Sequence, residues 1–126
     1  MKKRVFISAP DADARLRDTL IGRARQDGAS VQFVDYAVKE AWDNVWKNNC
    51  RQRITGCDGM IAIVTRNTGR TANQLWEIAC AEAESVSMLL VSPSDEDRPD
   101  ELPGPLVGRE IVIWSWPQIA AFLDAL

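Results

Sequence analysis

The chain has 126 residues, 46% of them hydrophobic and 26% charged, and a net charge of −3. That length suffices for one core burying roughly two-thirds of the unfolded surface, so a single domain spanning 1–126 is expected; an isoelectric point near 4.9 disfavours a nucleic-acid partner, whose phosphates demand clustered Lys and Arg. Histidine is absent, which removes Ser-His-Asp and Cys-His nucleophile systems and most transition-metal sites, so catalysis would have to run on carboxylates, hydroxyls, Lys, Arg, Tyr or a thiol.

The charged start Lys2-Lys3-Arg4 is followed by only Val5-Phe6-Ile7 before Ser8, Pro10 and Asp11 interrupt, too short an apolar run for an export signal. No stretch approaches the roughly 18 apolar residues of a membrane span, so no membrane partner and a cytoplasmic location are expected. Val5-Phe6-Ile7 reads as the first strand. After the turn Ala9-Pro10-Asp11, Leu16, Leu20, Ile21 and Ala24 recur at helical spacing, and Gly28 stands where that helix would stop. Ser30 to Val34 alternates as a short second strand. A polar stretch from Asp35 to Trp42 leads into a helix carrying Trp46, Cys50 and Ile54, which Gly56 would end.

Gly59 to Thr65 is the most continuously apolar run, as a central parallel strand covered on both faces requires. The turn formers Arg66 to Thr71 precede a helix from about Ala72 to Glu84, with Leu75, Ile78, Ala79 and Glu82 expected on one side. Ser87 to Val91 is the fourth strand. From Pro93 to Gly108 the chain is dense in Pro, Gly, Asp and Glu, a long surface loop without regular structure. Glu110 to Trp114 is the fifth strand, and Ser115-x-x-Gln118 with Pro117 is a capping-box start for a closing helix whose apolar positions are Ile119, Phe122, Leu123 and Leu126. Cys50, Cys57 and Cys80 lack paired C-x-x-C spacing and are expected as reduced packing residues, with no metal bound.

Strands alternating with helices predict an α/β fold: a flavodoxin-like three-layer αβα sandwich around a five-stranded parallel sheet of order 2-1-3-4-5. Ligands of such sheets bind beyond the carboxyl ends of the strands, where the strand order reverses. The residues delivered there are Ser8, Ala9, Pro10 and Asp11 after strand one, Asp35 and Tyr36 after strand two, and Thr65 to Thr68 after strand three. Glu77, one turn inside the next helix, can point back across that mouth.

The segments Arg4-Val5-Phe6-Ile7-Ser8, Phe33-Val34-Asp35-Tyr36 with Lys39-Glu40 and Trp42, Asn67-Thr68, and Trp76-Glu77-Ile78 together resemble the TIR-like proteins of the Thoeris antiphage system. The resemblance implies a catalytic role for Glu77 in cleaving the nicotinamide–ribose bond of NAD⁺. It further implies an ADP-ribose-type product, linear or cyclic, acting on a separate effector protein. NAD⁺ would be a substrate, with no resident cofactor; Ser8, Ala9, Asp11, Asp35, Tyr36, Trp42, Asn67, Thr68 and Trp76 are the candidate binding residues, and a homo-oligomer is an allowed state. The chemistry suits the residues: an oxocarbenium-like transition state forms while nicotinamide departs as a neutral group, so one carboxylate suffices.

Other readings stay open at this point. Asp11 and Asp13 are expected to cap the first helix, Trp46 and Trp114 to be core, and Trp42 and Trp76 to face the cleft. A TIR-like module that assembles with a partner without chemistry is the alternative function. A receiver domain would need an aspartate where Thr65-Arg66-Asn67 stands, and a flavodoxin a hydroxyl-rich loop after strand one.

Overall fold

A computed structural model describes residues 2–34 and 44–126. Five strands, β1 (Lys3–Ser8), β2 (Val31–Val34), β3 (Gly59–Ile63), β4 (Ser87–Ser92) and β5 (Ile111–Ile113), form one sheet in the order β2-β1-β3-β4-β5, every pairing parallel. Helices α1 (Ala14–Gln26), α2 (Asn44–Thr55) and α3 (Ala72–Ala83) supply the first three crossovers, the segment between β4 and β5 has only 3-10 turns, and α4 (Trp116–Asp124) follows β5. The doubly wound arrangement is the one the alternating pattern predicts.

Strand alternation sorts the core into two sides. Val5 and Ile7 of β1 and Ile61 and Ile63 of β3 pack with Leu20 of α1 and with Ile119 and Leu123 of α4. Phe6 and Met60, one residue out of phase, pack on the other side with Trp46, Cys50 and Ile54 of α2 and Cys80 and Ala81 of α3. Ser8 shares the parity of Phe6, so the last side chain of β1 falls on the α2/α3 side. Its register partner on β3 is Ala62. Two small side chains therefore lie next to one another at the carboxyl end of the sheet, beneath the start of α3.

Helix α3 buries Gln74, Glu77, Ile78, Cys80 and Ala81. The stripe is Gln74, Glu77, Ile78 and Ala81, whereas sequence periodicity places Leu75, Ile78, Ala79 and Glu82 inward; Ala79 and Glu82 are exposed. The polar pair sits in the amino-terminal half of the stripe, over the sheet's carboxyl edge, and the apolar pair lies over its middle. Helix α1 ends as expected: Gly28 takes φ +70°, and the amides of Gly28 and Ala29 return to the carbonyls of Arg25 and Ala24.

Two details of the second half differ from expectation. The Pro/Gly-rich stretch holds two 3-10 turns, Asp95–Asp97 and Gly104–Leu106, and Leu106 is fully buried against Val64, Ile78, Leu90 and Ile111. A single leucine among prolines and glycines has no period for a sequence reading to detect, yet it anchors the segment. Ser115 does sit at the start of α4 with extended backbone, but its side chain makes no capping hydrogen bond, and Pro117 occupies the first turn. From the segment before β5, the Arg98 guanidinium donates to the Ile111 carbonyl at the start of that strand.

The Leu106 anchor gives a direct test of the loop. Leu106→Ala is expected to destabilise the protein by about 2–5 kcal/mol through the cavity it leaves. Leu102→Ala, at a side chain 43% exposed, is expected to stay within about 0.5 kcal/mol of the parent in the same urea unfolding measurement.

Candidate functional site

Each functional side chain at the carboxyl edge is set by a strand end or a helix start. Ser8 terminates β1 and is 1% exposed; Glu77 lies in the second turn of α3 and is 6% exposed. The Ser8 hydroxyl donates to Glu77 Oε1 at 2.7 Å across 69 residues of sequence. The Cys50 thiol of α2 lies 3.9 Å from Glu77 Oε2. The carboxylate is thus held between the tip of β1 and two helices, as a buried charged group has to be.

One turn earlier on the same face, Gln74 is fully buried. Its amide nitrogen donates to the Ile63 carbonyl at 2.7 Å and to the Ser8 carbonyl at 3.2 Å. Because both neighbours are carbonyls, the hydrogen-bond network assigns the NH₂ group to that side. The sequence reading did not single out Gln74. A glutamine three residues before a candidate carboxylate, hence on the same helix face, is the signal that was there to use.

A second network joins the loops after β1 and β3. The Thr65 hydroxyl donates to Asp13 Oδ2 at 2.6 Å, and Asn67 Nδ2 lies 3.3 Å from both Asp13 oxygens. Thr65 Oγ1 accepts from the Asn67 amide at 3.0 Å, and the fully buried Thr68 hydroxyl accepts from the Thr65 amide at 3.0 Å. Asp13 therefore does not cap α1, which carries no side-chain capping bond at its start. It clamps the β3–α3 loop instead, and the charge-assisted bonds to Thr65 and Asn67 are the stronger competitor for its oxygens.

The remaining candidates fall in three groups. Ala9 is half-buried at the same edge, and Asp11 is exposed in a 3-10 turn, Asp11–Asp13, without a side-chain cap. Trp76 is half-buried beside Glu77, but its ring packs on Trp46 of α2 with centroids 5.5 Å apart, and the Arg51 guanidinium lies 5.6 Å above it. Trp46 is core and Trp114 packs half-buried against the opposite side of the sheet. Asp35, Tyr36 and Trp42 lie outside the described residues. Among the described residues no cluster of ligating side chains suits a metal ion, and no helix is long and apolar enough to cross a membrane. A groove of about 510 Å³ lies at the amino end of the sheet, between Lys3, Val31, Trp116 and Leu123; it holds none of the candidates and is far from this chemistry.

No protein-family model matches the chain, and no curated protein matches it in sequence. Among solved structures, the TIR domains of the activated Roq1 resistosome directly recognising the pathogen effector XopQ superpose on it with a TM-score of 0.51 at 14% identity. The fold is TIR-like. The match covers 72% of this chain, which spans 57% of the length of that TIR chain. The likeness is one of architecture and carries no residue roles with it.

The three cysteines are free and buried, as expected of packing residues. Burial, then the neighbouring Glu77 carboxylate, pushes the Cys50 thiol far above its ordinary value of 9.0; burial likewise raises Cys57 and Cys80. A thiol that stays protonated when folded but ionises when unfolded means the unfolded state binds fewer protons above pH 9 or so, and stability falls as pH rises. All three thiols are therefore expected to react slowly with iodoacetamide at neutral pH and rapidly in denaturant, and urea midpoints are expected to decline above about pH 9. Asp13→Ala is expected to cost about 1–3 kcal/mol, because Thr65 and Asn67 lose their shared acceptor, as read by thermal or urea unfolding.

Proposed function

We propose that the protein cleaves the nicotinamide–ribose bond of NAD⁺, with Glu77 as the catalytic carboxylate. The observation that carries this reading is the position of Glu77: a buried carboxylate at the carboxyl edge of the sheet, beside the strand-order reversal, with Ser8 donating to it at 2.7 Å. Crevices at that place are where doubly wound sheets take nucleotides. The TIR-like architecture is consistent with it, and so is the resemblance of Trp76-Glu77-Ile78 to the catalytic segment of TIR enzymes.

The reaction asks little of the protein beyond this group. As the C1′–N bond breaks, its electron pair leaves with nicotinamide, which is then neutral and needs no proton. Positive charge develops on C1′ and the ring oxygen of the ribose. A carboxylate hydrogen-bonded to the ribose hydroxyls stabilises that charge, more strongly in a water-poor cleft than in bulk solvent. Water then adds to C1′ and loses a proton to solvent, giving ADP-ribose; attack by a nitrogen of the same molecule's adenine closes a cyclic product. Such a product would serve as a signal to a separate effector protein in antiphage defence, and self-association of TIR-like domains would assemble the active state. A location with access to cellular NAD⁺, the cytoplasm, goes with this reading.

One observation favours a second reading, an assembly module without chemistry. The polar groups of Ser8, Thr65, Thr68 and Asn67 at the edge are all engaged within the protein itself. Incubation of the purified protein with NAD⁺ and chromatographic detection of nicotinamide separates the two. The enzyme reading expects release that Glu77→Gln reduces by at least about 10²–10³-fold with the fold intact by circular dichroism. Release that survives the substitution, or none from wild type at concentrations where it self-associates, rejects Glu77 catalysis.

A further inference from the structure

Gln74 is unusual as a purely structural residue. It has no exposed surface, and while its two amide protons are both used, its Oε1 is buried with no hydrogen-bond partner among the described residues. A buried acceptor without a donor is destabilising, and Met, of equal length, would fill the space without introducing it. Against that cost stand the two buried carbonyls the amide satisfies. What the amide supplies is geometry. A single nitrogen with two protons bonds the Ile63 carbonyl at the end of β3 and the Ser8 carbonyl at the end of β1, joining α3 to the tips of adjacent strands.

Ser8 is held at both of its polar ends by α3. Its carbonyl accepts from Gln74, and its hydroxyl donates to Glu77 on the same helix face, three residues further on. The hydroxyl bond to Glu77, at 2.7 Å, depends on alignment, so a shift of β1's tip relative to α3 would weaken it. We propose that Gln74 is a positioning residue for Glu77, acting through Ser8 by fixing the tip of β1 against α3. The kinetic part of this proposal rests on the NAD⁺-cleaving reading; the geometric part does not.

The test is a double-mutant cycle with two readouts. Wild type, Gln74→Met, Ser8→Ala and the double variant are compared for kcat and KM on NAD⁺, and for the ¹³C shift of the Glu77 carboxyl carbon. Each single variant is expected to lose about ten- to a hundredfold in kcat while KM stays within about twofold. The double variant is expected to be no worse than Ser8→Ala, because the two residues act in series. The Glu77 carboxyl resonance is expected to move to a common position in all three variants.

Multiplied losses in the double variant, or a Glu77 resonance in Gln74→Met unchanged from wild type, would overturn the proposal. If wild type releases no nicotinamide, the NAD⁺ reading fails on its own and the carboxyl resonances still decide the positioning role. Should Gln74→Met not fold, Gln74→Asn, which keeps the amide but is one methylene too short to span both carbonyls, carries the same comparison.

Discussion

A carboxylate pressed under the edge of an apolar sheet is tolerable only with donors on it, and Ser8 provides one to Glu77 at 2.7 Å. The features of the carboxyl edge are arranged around that bond. The parity of β1 turns Ser8 to the α2/α3 side, and Ala62 beside it on β3 keeps that side small. Gln74 and Glu77 occupy the amino-terminal half of the α3 stripe, where a purely structural helix would carry apolar residues. The two loops that border the edge are held to each other through Asp13, Thr65 and Asn67 rather than left to solvent. Such internal pairing holds the edge in one geometry, which a preorganised site needs and an assembly surface equally tolerates.

The elements were legible in the sequence because burial leaves a strong trace on strands. Gly59 to Thr65, apolar throughout, is the central strand, and the strands flanked by turn formers fall where their composition places them. The buried stripe of α3 was not legible in the same way. Periodicity counts apolar side chains, and here two of the inward positions are Gln74 and Glu77, so the apparent stripe shifts by one residue toward Leu75 and Ala79. The error falls at the candidate site, where local rules are expected to yield to function. Asp13 escaped for a related reason: an acid before a helix reads as a cap, and its real partners lie 52 and 54 residues away. Leu106 escaped because one anchoring leucine has no period at all. Placing Ser8 and Glu77 at one edge needed only the strand order, whereas the bond between them needed coordinates.

The TIR-like architecture by itself is compatible with chemistry or with assembly, since a fold hosts many functions. What distinguishes this chain is the chemistry within reach of one buried acid. Without histidine, a reaction whose leaving group departs neutral and whose transition state carries positive charge is among those that a lone carboxylate can serve. Burial, and then this same acid, raises the neighbouring Cys50 thiol and keeps it protonated, so the thiol serves there as a packing group and weak donor, not as a competing nucleophile.

The most direct test is a crystal structure with carba-NAD⁺, whose nicotinamide–ribose bond cannot be hydrolysed. This account predicts the dinucleotide over the carboxyl ends of β1 and β3, with hydroxyls of the nicotinamide-side ring at hydrogen-bond distance, about 3 Å, from the Glu77 carboxylate. A dinucleotide seated elsewhere, with Glu77 still closed onto Ser8 and touching no ligand atom, would contradict it.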